Sequence, residues 1–213
     1  PLAARLQLLA ATARGLGFAH DHGVVHRDLK GENVLLAPGP NRTLVPKITD
    51  FGLSRLLNQL HELSPSQEDH QPMVVGTLLG MSPEQTLGEH ADALSDVFGL
   101  GTLAYRLLSG RAPFGGSSVL DVVEAIRAAK PPPPRELRAD IPLPVSRLVE
   151  RMLAKKRLER PTAAEVVEVL DEALQDRALQ QRAERAGLET RTGAMLAVRL
   201  DGGTAGRAER LDA

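Results

Sequence analysis

Apolar residues return at helical spacing from the start of the chain, at Leu2, Leu6, Leu9, Ala13 and Leu16. That pattern predicts a helix with one buried face, ended by Gly23, with Val24-Val25 leading on into a polar loop. The period then changes. Val34-Leu35-Leu36 and Val45-Pro46-Lys47-Ile48 are short apolar runs either side of Pro38-Gly39-Pro40-Asn41, the pattern of two strands joined as a hairpin. From Asn58 to Met73 periodicity disappears among Ser, Pro, Gln and His, which predicts a mobile loop. Helical spacing resumes at Val97, Leu100, Ala104 and Leu107, in a segment from about Leu94 to Ser109 with Gly110 as its stop. Ser118 with Asp121, and Thr162 with Glu165, fit capping boxes that start helices over Val122, Val123 and Ile126 and over Val166, Val169 and Leu170. Val145, Leu148, Val149, Met152 and Leu153 mark a further helix. Lys130-Pro131-Pro132-Pro133-Pro134-Arg135 is expected to be an extended connector, because successive prolines cannot join a helix; binding of a proline-recognition module is the other use of such a run.

Two polar loops interrupt this pattern: His26-Arg27-Asp28-Leu29-Lys30-Gly31-Glu32-Asn33 before the first strand, and Asp50-Phe51-Gly52 after the second. They bring together an acid, a base and two metal-ligand candidates. Phosphoryl transfer needs metal held against phosphates, a group orienting the attacking hydroxyl, and positive charge near the moving phosphoryl.

The two motifs, in this order and separated by a hairpin, resemble the catalytic and magnesium loops of protein kinases. The resemblance implies ATP and Mg2+ as cofactors. Asp28 would be the catalytic base, Lys30 would stabilise the transferred phosphoryl, Asn33 and Asp50 would hold magnesium, and Leu35 would form the floor under adenine. Leu35 read without the family is a core leucine. A lysine two places after Asp28 resembles the serine/threonine branch, so the partner would be a protein substrate with Ser or Thr hydroxyls.

Gly76-Thr77-Leu78-Leu79-Gly80-Met81-Ser82-Pro83-Glu84 resembles the end of a kinase activation segment, with Ser for the family's Ala at 82. Thr77 would touch Asp28 and Lys30. Ser64 and Ser66 are phosphorylation candidates, with Arg27 placed to pair with a phosphate. Arg160-Pro161-Thr162 resembles the family's closing signature, which implies a buried ion pair from Arg160 to Glu84. Asp96 would accept hydrogen bonds from the catalytic-loop backbone; a capping acid in the first turn of its helix is the competing reading. Met81-Ser82-Pro83-Glu84-Gln85 and Arg160-Pro161-Thr162-Ala163-Ala164-Glu165 are similar to bacterial relatives of eukaryotic serine/threonine kinases.

The fold expected is mainly α within an α+β family: a kinase C-terminal lobe over 1–173 with a small catalytic-loop hairpin, a helical linker over 174–193, and the start of an α/β domain over 194–213. The Gly-rich phosphate loop and the strand lysine of a kinase N-terminal lobe are absent from these residues, so the chain is read as a piece of a longer polypeptide, impaired as an enzyme without that lobe in cis. The alternatives are a non-catalytic kinase-like interaction module and a small-molecule phosphotransferase.

Composition sets limits. Hydrophobic residues make up 42% of the 213 and aromatics 2%, so Leu, Val and Ala must build the core. A formal net charge of −1 gives no electrostatic reason to expect nucleic acid or an anionic membrane. The chain has no cysteine, which removes disulfides and thiolate metal sites. His20, His22 and His26 are read as helix-end and loop residues and not as a metal cluster. No apolar stretch is long enough to span a bilayer and no signal peptide is visible, so a cytoplasmic location is expected, with an anchor elsewhere in a longer chain still open.

Overall fold

Helix α1 runs over Leu2–Asp21 and buries Leu2, Leu6, Leu9, Ala13 and Leu16, the stripe that its spacing predicts. It closes with a Schellman motif: Gly23 N donates to the His20 carbonyl and Val24 N to that of Ala19. Gly23 has φ 73°, a conformation that glycine adopts without steric cost. The computed structural model describes residues 1–40, 43–51, 78 and 80–178. The expected mobile loop from Asn58 to Met73, with Ser64 and Ser66, lies outside the described residues, as do Thr77 and the segment 194–213. The chain divides into one unit over Pro1–Leu174 and a second over Gln175–Ala213. The polar loop and the elements around it lie in the first.

After α1 the backbone passes through the polar loop and a 3-10 turn at Gly31–Asn33. Strand β1 (Val34–Pro38) then pairs antiparallel with β2 (Leu44–Ile48), Val34 opposite Ile48 and Pro38 opposite Leu44. Val34 and Ile48 pack on the core and fix the register. Leu35 does not: it is 56% exposed, and Leu36 and Leu44 are exposed to a similar degree. A core-leucine reading of Leu35 is therefore overturned. The hairpin touches the core through its end beside α1, and among the described residues no second layer covers the rest.

Short helix α2 (Pro83–Thr86) precedes α3 (Ala93–Ser109), the helix around which the unit is built. Every residue from Ser95 to Thr102 is buried, so the predicted stripe of Val97, Leu100, Ala104 and Leu107 is only part of what α3 packs. Its start is capped by Asp92, whose carboxylate accepts from Leu94 N and Ser95 N. Asp96 is not the cap. Gly110, at φ 79°, ends the helix.

Helices α4 (Val119–Ala128), α6 (Leu143–Met152) and α7 (from residue 163 to the end of the unit) complete the core. Both capping boxes form: Asp121 N donates to Ser118 Oγ at 3.1 Å, and Glu165 N to Thr162 Oγ1 at 3.2 Å. The proline run corrects the expectation made for it. Pro134 opens a short helix, α5 (Pro134–Leu137), because a proline at the first helical position loses an N–H that would be unpaired anyway. The prolines before it stay extended as far as Pro133, and the Tyr105 hydroxyl donates to the Pro132 carbonyl. With so few aromatics, the Phe98 and Phe114 rings stack at 5.7 Å and the Lys155 ammonium lies 3.9 Å from the Phe114 centroid. Burial and the nearby Arg160 charge lower the Lys155 amine to about 8.

Candidate active site

Asp96 holds the polar loop against α3. Its buried carboxylate accepts from the backbone N–H groups of His26 and Arg27, each at 2.7 Å, and from His20 Nε2 at 2.9 Å. Three donors on one carboxylate define the path of the chain as it turns away from α1. Arg27 is bent into the left-handed region at φ 71°, where a residue with a side chain is strained by about 1–3 kcal/mol unless its surroundings hold it. Its carbonyl accepts from Gln85 Nε2 of α2 at 2.6 Å.

His26, fully buried, works in the other direction. Its Nδ1 accepts from Asp28 N, so Nε2 carries the proton and donates to the Thr49 carbonyl at 2.7 Å. The ring also lies 4.7 Å from that of Phe51. One imidazole thus joins the loop before β1 to the loop after β2. The backbone of Leu29 rests directly on α3: a Cβ on Gly99 would come within 2.6 Å of the Leu29 carbonyl oxygen, and one on Gly80 within 2.8 Å. Only hydrogen at those two positions leaves room for the loop.

At the loop's functional end the Asp28 carboxylate lies 2.9 Å from Lys30 Nζ and accepts from Asn33 Nδ2 at 3.3 Å. The same Asn33 nitrogen donates to the Asp28 carbonyl at 2.7 Å, which leaves the amide oxygen as the acceptor end of that side chain. Thr49 N donates to the Asn33 carbonyl and brings Asp50, exposed and at φ 63°, beside it. Asp28, Lys30 and Asn33 are therefore gathered at the end of the hairpin, with Asp50 following Thr49 on the neighbouring strand end and Leu35 exposed on β1.

Behind the site, Arg160 and Glu84 meet in a buried two-pronged pair, Nη1 to Oε1 at 2.7 Å and Nη2 to Oε2 at 2.8 Å. Ser95 Oγ adds a third hydrogen bond to Glu84, and Arg160 spends its remaining N–H groups on the carbonyls of Leu94, Ala154 and Lys155. Burial pushes the Glu84 carboxyl up, but the hydrogen bonds from Arg160, Ser95 and its own backbone, with the Arg160 charge, outweigh it and hold the group at about 2. Arg27 makes no ion pair among the described residues.

The protein kinase domain family matches residues 3–170. The chain belongs to that family. Among its relatives, the serine/threonine-protein kinase Pkn1 of Myxococcus xanthus is 34% identical over 162 residues, covering 75% of this chain and 23% of Pkn1. The serine/threonine-protein kinase PkaA of Streptomyces coelicolor is 35% identical over 202 residues, 92% of this chain and 34% of PkaA. The serine/threonine-protein kinase PknA of Mycobacterium tuberculosis is 40% identical over 150 residues, 70% of this chain and 32% of PknA. The chain thus spans about a third or less of the length of these bacterial relatives.

Kinases of this family act with ATP and magnesium, and the donor set suits a magnesium ion: one amide oxygen and one carboxylate, both hard ligands. Among the described residues no three His, Asp or Glu side chains converge as a metal site, so phosphate oxygens would have to complete the coordination shell. The three histidines near α1 have separate partners: Asp96 for His20, the Phe18 carbonyl for His22 and the Thr49 carbonyl for His26. A cleft of about 730 Å³ lies between Pro131–Pro132 and α6 and shares no residue with the catalytic loop. Motif reading missed His20, Gln85, Gly80 and Gly99. The six-residue step from His20 to His26 gives no local sign of a shared carboxylate on α3, and the glycines are explained only by what packs on them.

Proposed function

We propose that this chain is the C-terminal lobe of a serine/threonine protein kinase that transfers the γ-phosphoryl of ATP to Ser or Thr hydroxyls of a protein. The observation that carries the reading is the Asp28 carboxylate, held between Lys30 Nζ and Asn33 Nδ2 on a loop fixed to α3. Asp28 orients the substrate hydroxyl and takes its proton. Lys30, 2.9 Å from that carboxylate, is placed to neutralise charge on the phosphoryl as it moves. Asn33 and Asp50 hold magnesium against the nucleotide. Held by those two side chains, magnesium would supply neutralisation of the phosphate charge. Leu35 serves as the apolar surface under the adenine ring.

The proposal includes an N-terminal lobe acting in cis to supply the phosphate-covering loop and the strand lysine. Exposed apolar side chains on the hairpin and just after it support it: Leu35, Leu36, Leu44 and Phe51. Phosphorylation of Ser64 or Ser66, read out by Arg27, and contact of Thr77 with Asp28 belong to the same proposal. No helix among the described residues is long and apolar enough to cross a membrane, and the catalytic region is proposed to act in the cytoplasm.

The same exposed apolar groups favour one second reading, an interaction module that binds a partner and transfers nothing. Phosphorylation assays with ATP and magnesium separate the two, run on this chain and on a chain extended through an N-terminal lobe, each beside Asp28→Asn. Activity in the extended wild type alone supports the kinase; silence in both, without nucleotide binding, leaves the interaction module.

A further inference from the structure

We propose that Gln85 is a positioning residue for Asp28: its side-chain amide holds the Arg27–Asp28 peptide in the orientation that aims the base. The kinetic part of this inference rests on the kinase reading, while its structural part stands by itself.

The peptide joining Arg27 to Asp28 is gripped at both polar ends. Its carbonyl accepts from Gln85 Nε2 at 2.6 Å and its N–H donates to His26 Nδ1 at 3.2 Å. The N–H on the other side of Arg27 goes to Asp96 at 2.7 Å. This is also the peptide that follows the left-handed Arg27, where the backbone would relax most readily if one grip were released. The grip from α2 is the one that comes from outside α1, α3 and the loop itself.

The direction of the Gln85 amide is determined by its surroundings. Oε1 accepts from both Ser82 N, at 3.1 Å, and Ser82 Oγ, at 3.0 Å, so the nitrogen must face the Arg27 carbonyl. The oxygen caps α2 and the nitrogen reaches the catalytic loop. A glutamate would cap the helix equally well and add a negative charge that a helix N-terminus favours. Ionised, it could not donate to Arg27. The cap explains the oxygen, and only the loop explains the nitrogen. Ser82 is fully buried, and Glu84, between Ser82 and Gln85, is fixed by Arg160. The segment that ends at α2 is thereby connected through a single amide to the peptide that sets Asp28.

Gln85→Glu and Gln85→Met distinguish the two jobs. In the extended kinase, Gln85→Glu is expected to lower kcat about three- to tenfold at pH 8, with KM for ATP and peptide little changed, and to recover toward wild type as pH falls and the protonated carboxyl donates again. Gln85→Met lowers kcat by the same factor at every pH. A flat ratio of Gln85→Glu to wild type across pH, with Gln85→Met as active as wild type, overturns the proposal. Hydrogen exchange on this chain gives the reading that needs no activity: the Asp28 amide exchanges about three- to tenfold faster in Gln85→Met while α1 and α3 are unchanged. Unaltered exchange at Asp28 overturns the inference whatever the kinase does. Faster exchange, in a chain whose extended form phosphorylates nothing, upholds the positioning and removes the kinase reading. If Gln85→Met does not fold, the pH dependence of Asp28 exchange in Gln85→Glu decides.

Discussion

On its α3 side, the loop that carries Asp28 is gripped by side chains from three helices: His20 of α1 through Asp96, Asp96 itself from α3, and Gln85 from α2. On its hairpin side, Leu35, Leu36 and Leu44 stand more than half exposed and Phe51 is 37% exposed. The side that holds Asp28, the proposed base, is built within this unit, and the side proposed to meet a nucleotide carries the exposed apolar groups. Preorganisation of Asp28 and shelter for its substrate are thus separable properties of the fold, and variants can disturb one without the other.

The largest effect is expected at the base. Asp28→Asn in the extended kinase should lower phosphoryl transfer by roughly 10²–10⁴-fold with the thermal midpoint unchanged, and wild-type turnover would contradict the assignment. Next comes the buried pair behind the gripped side. Arg160→Met leaves the Glu84 carboxylate buried without its partner and should cost about 3–5 kcal/mol in urea unfolding. Adding Glu84→Leu should recover much of that loss, and a double variant no better than the single would show that the pair is not the main term.

The same pair sets an acid limit. Glu84 takes up its proton near 4.5 in the unfolded chain and only near 2 in the folded one. Between those values the unfolded chain binds more protons, so this contribution is complete above about pH 4.5 and is lost as pH falls toward 2. Unfolding midpoints measured through that window should decline in wild type and decline less in Glu84→Gln.

Smaller effects probe the two sides one at a time. Gly99→Ala presses a methyl against the Leu29 carbonyl and should cost about 1–3 kcal/mol, with raised hydrogen exchange along the loop from His26 to Asn33. Leu35→Ala on the open side should change stability by less than about 0.5 kcal/mol while weakening ATP binding in the extended kinase. Asp92→Ala removes a helix cap and should cost about 1 kcal/mol, measured by thermal unfolding.

What could be read from sequence depends on how local each signal is. The His26 to Asn33 run, the hairpin and the boxes at Ser118 and Thr162 declare themselves within a few residues, and they formed as expected. The Glu84 and Arg160 side chains meet across the core, a pairing that was legible only because each sits in a familiar phrase. Gln85 acts on a carbonyl 58 positions away, and no local pattern gives the direction of its amide. Asp96 carried two readings until Asp92 was found at the cap. Pro134 was misassigned because a run of prolines was treated as uniform, although the last of them could open a helix. The core reading of Leu35 failed because alternation tells which residues share a face, not whether anything covers that face.

The bond between Arg160 and Glu84 joins positions 76 residues apart. Closing a contact so distant in sequence costs more chain entropy than a local one, so the pair is expected to form after the local structure around it. Interactions made after the folding transition state act on the rate of escape from the native state and leave the rate of arrival almost untouched. On that expected order the buried guanidinium acts on how long this lobe persists once formed, and its loss should appear as a shortened native lifetime with folding as fast as before.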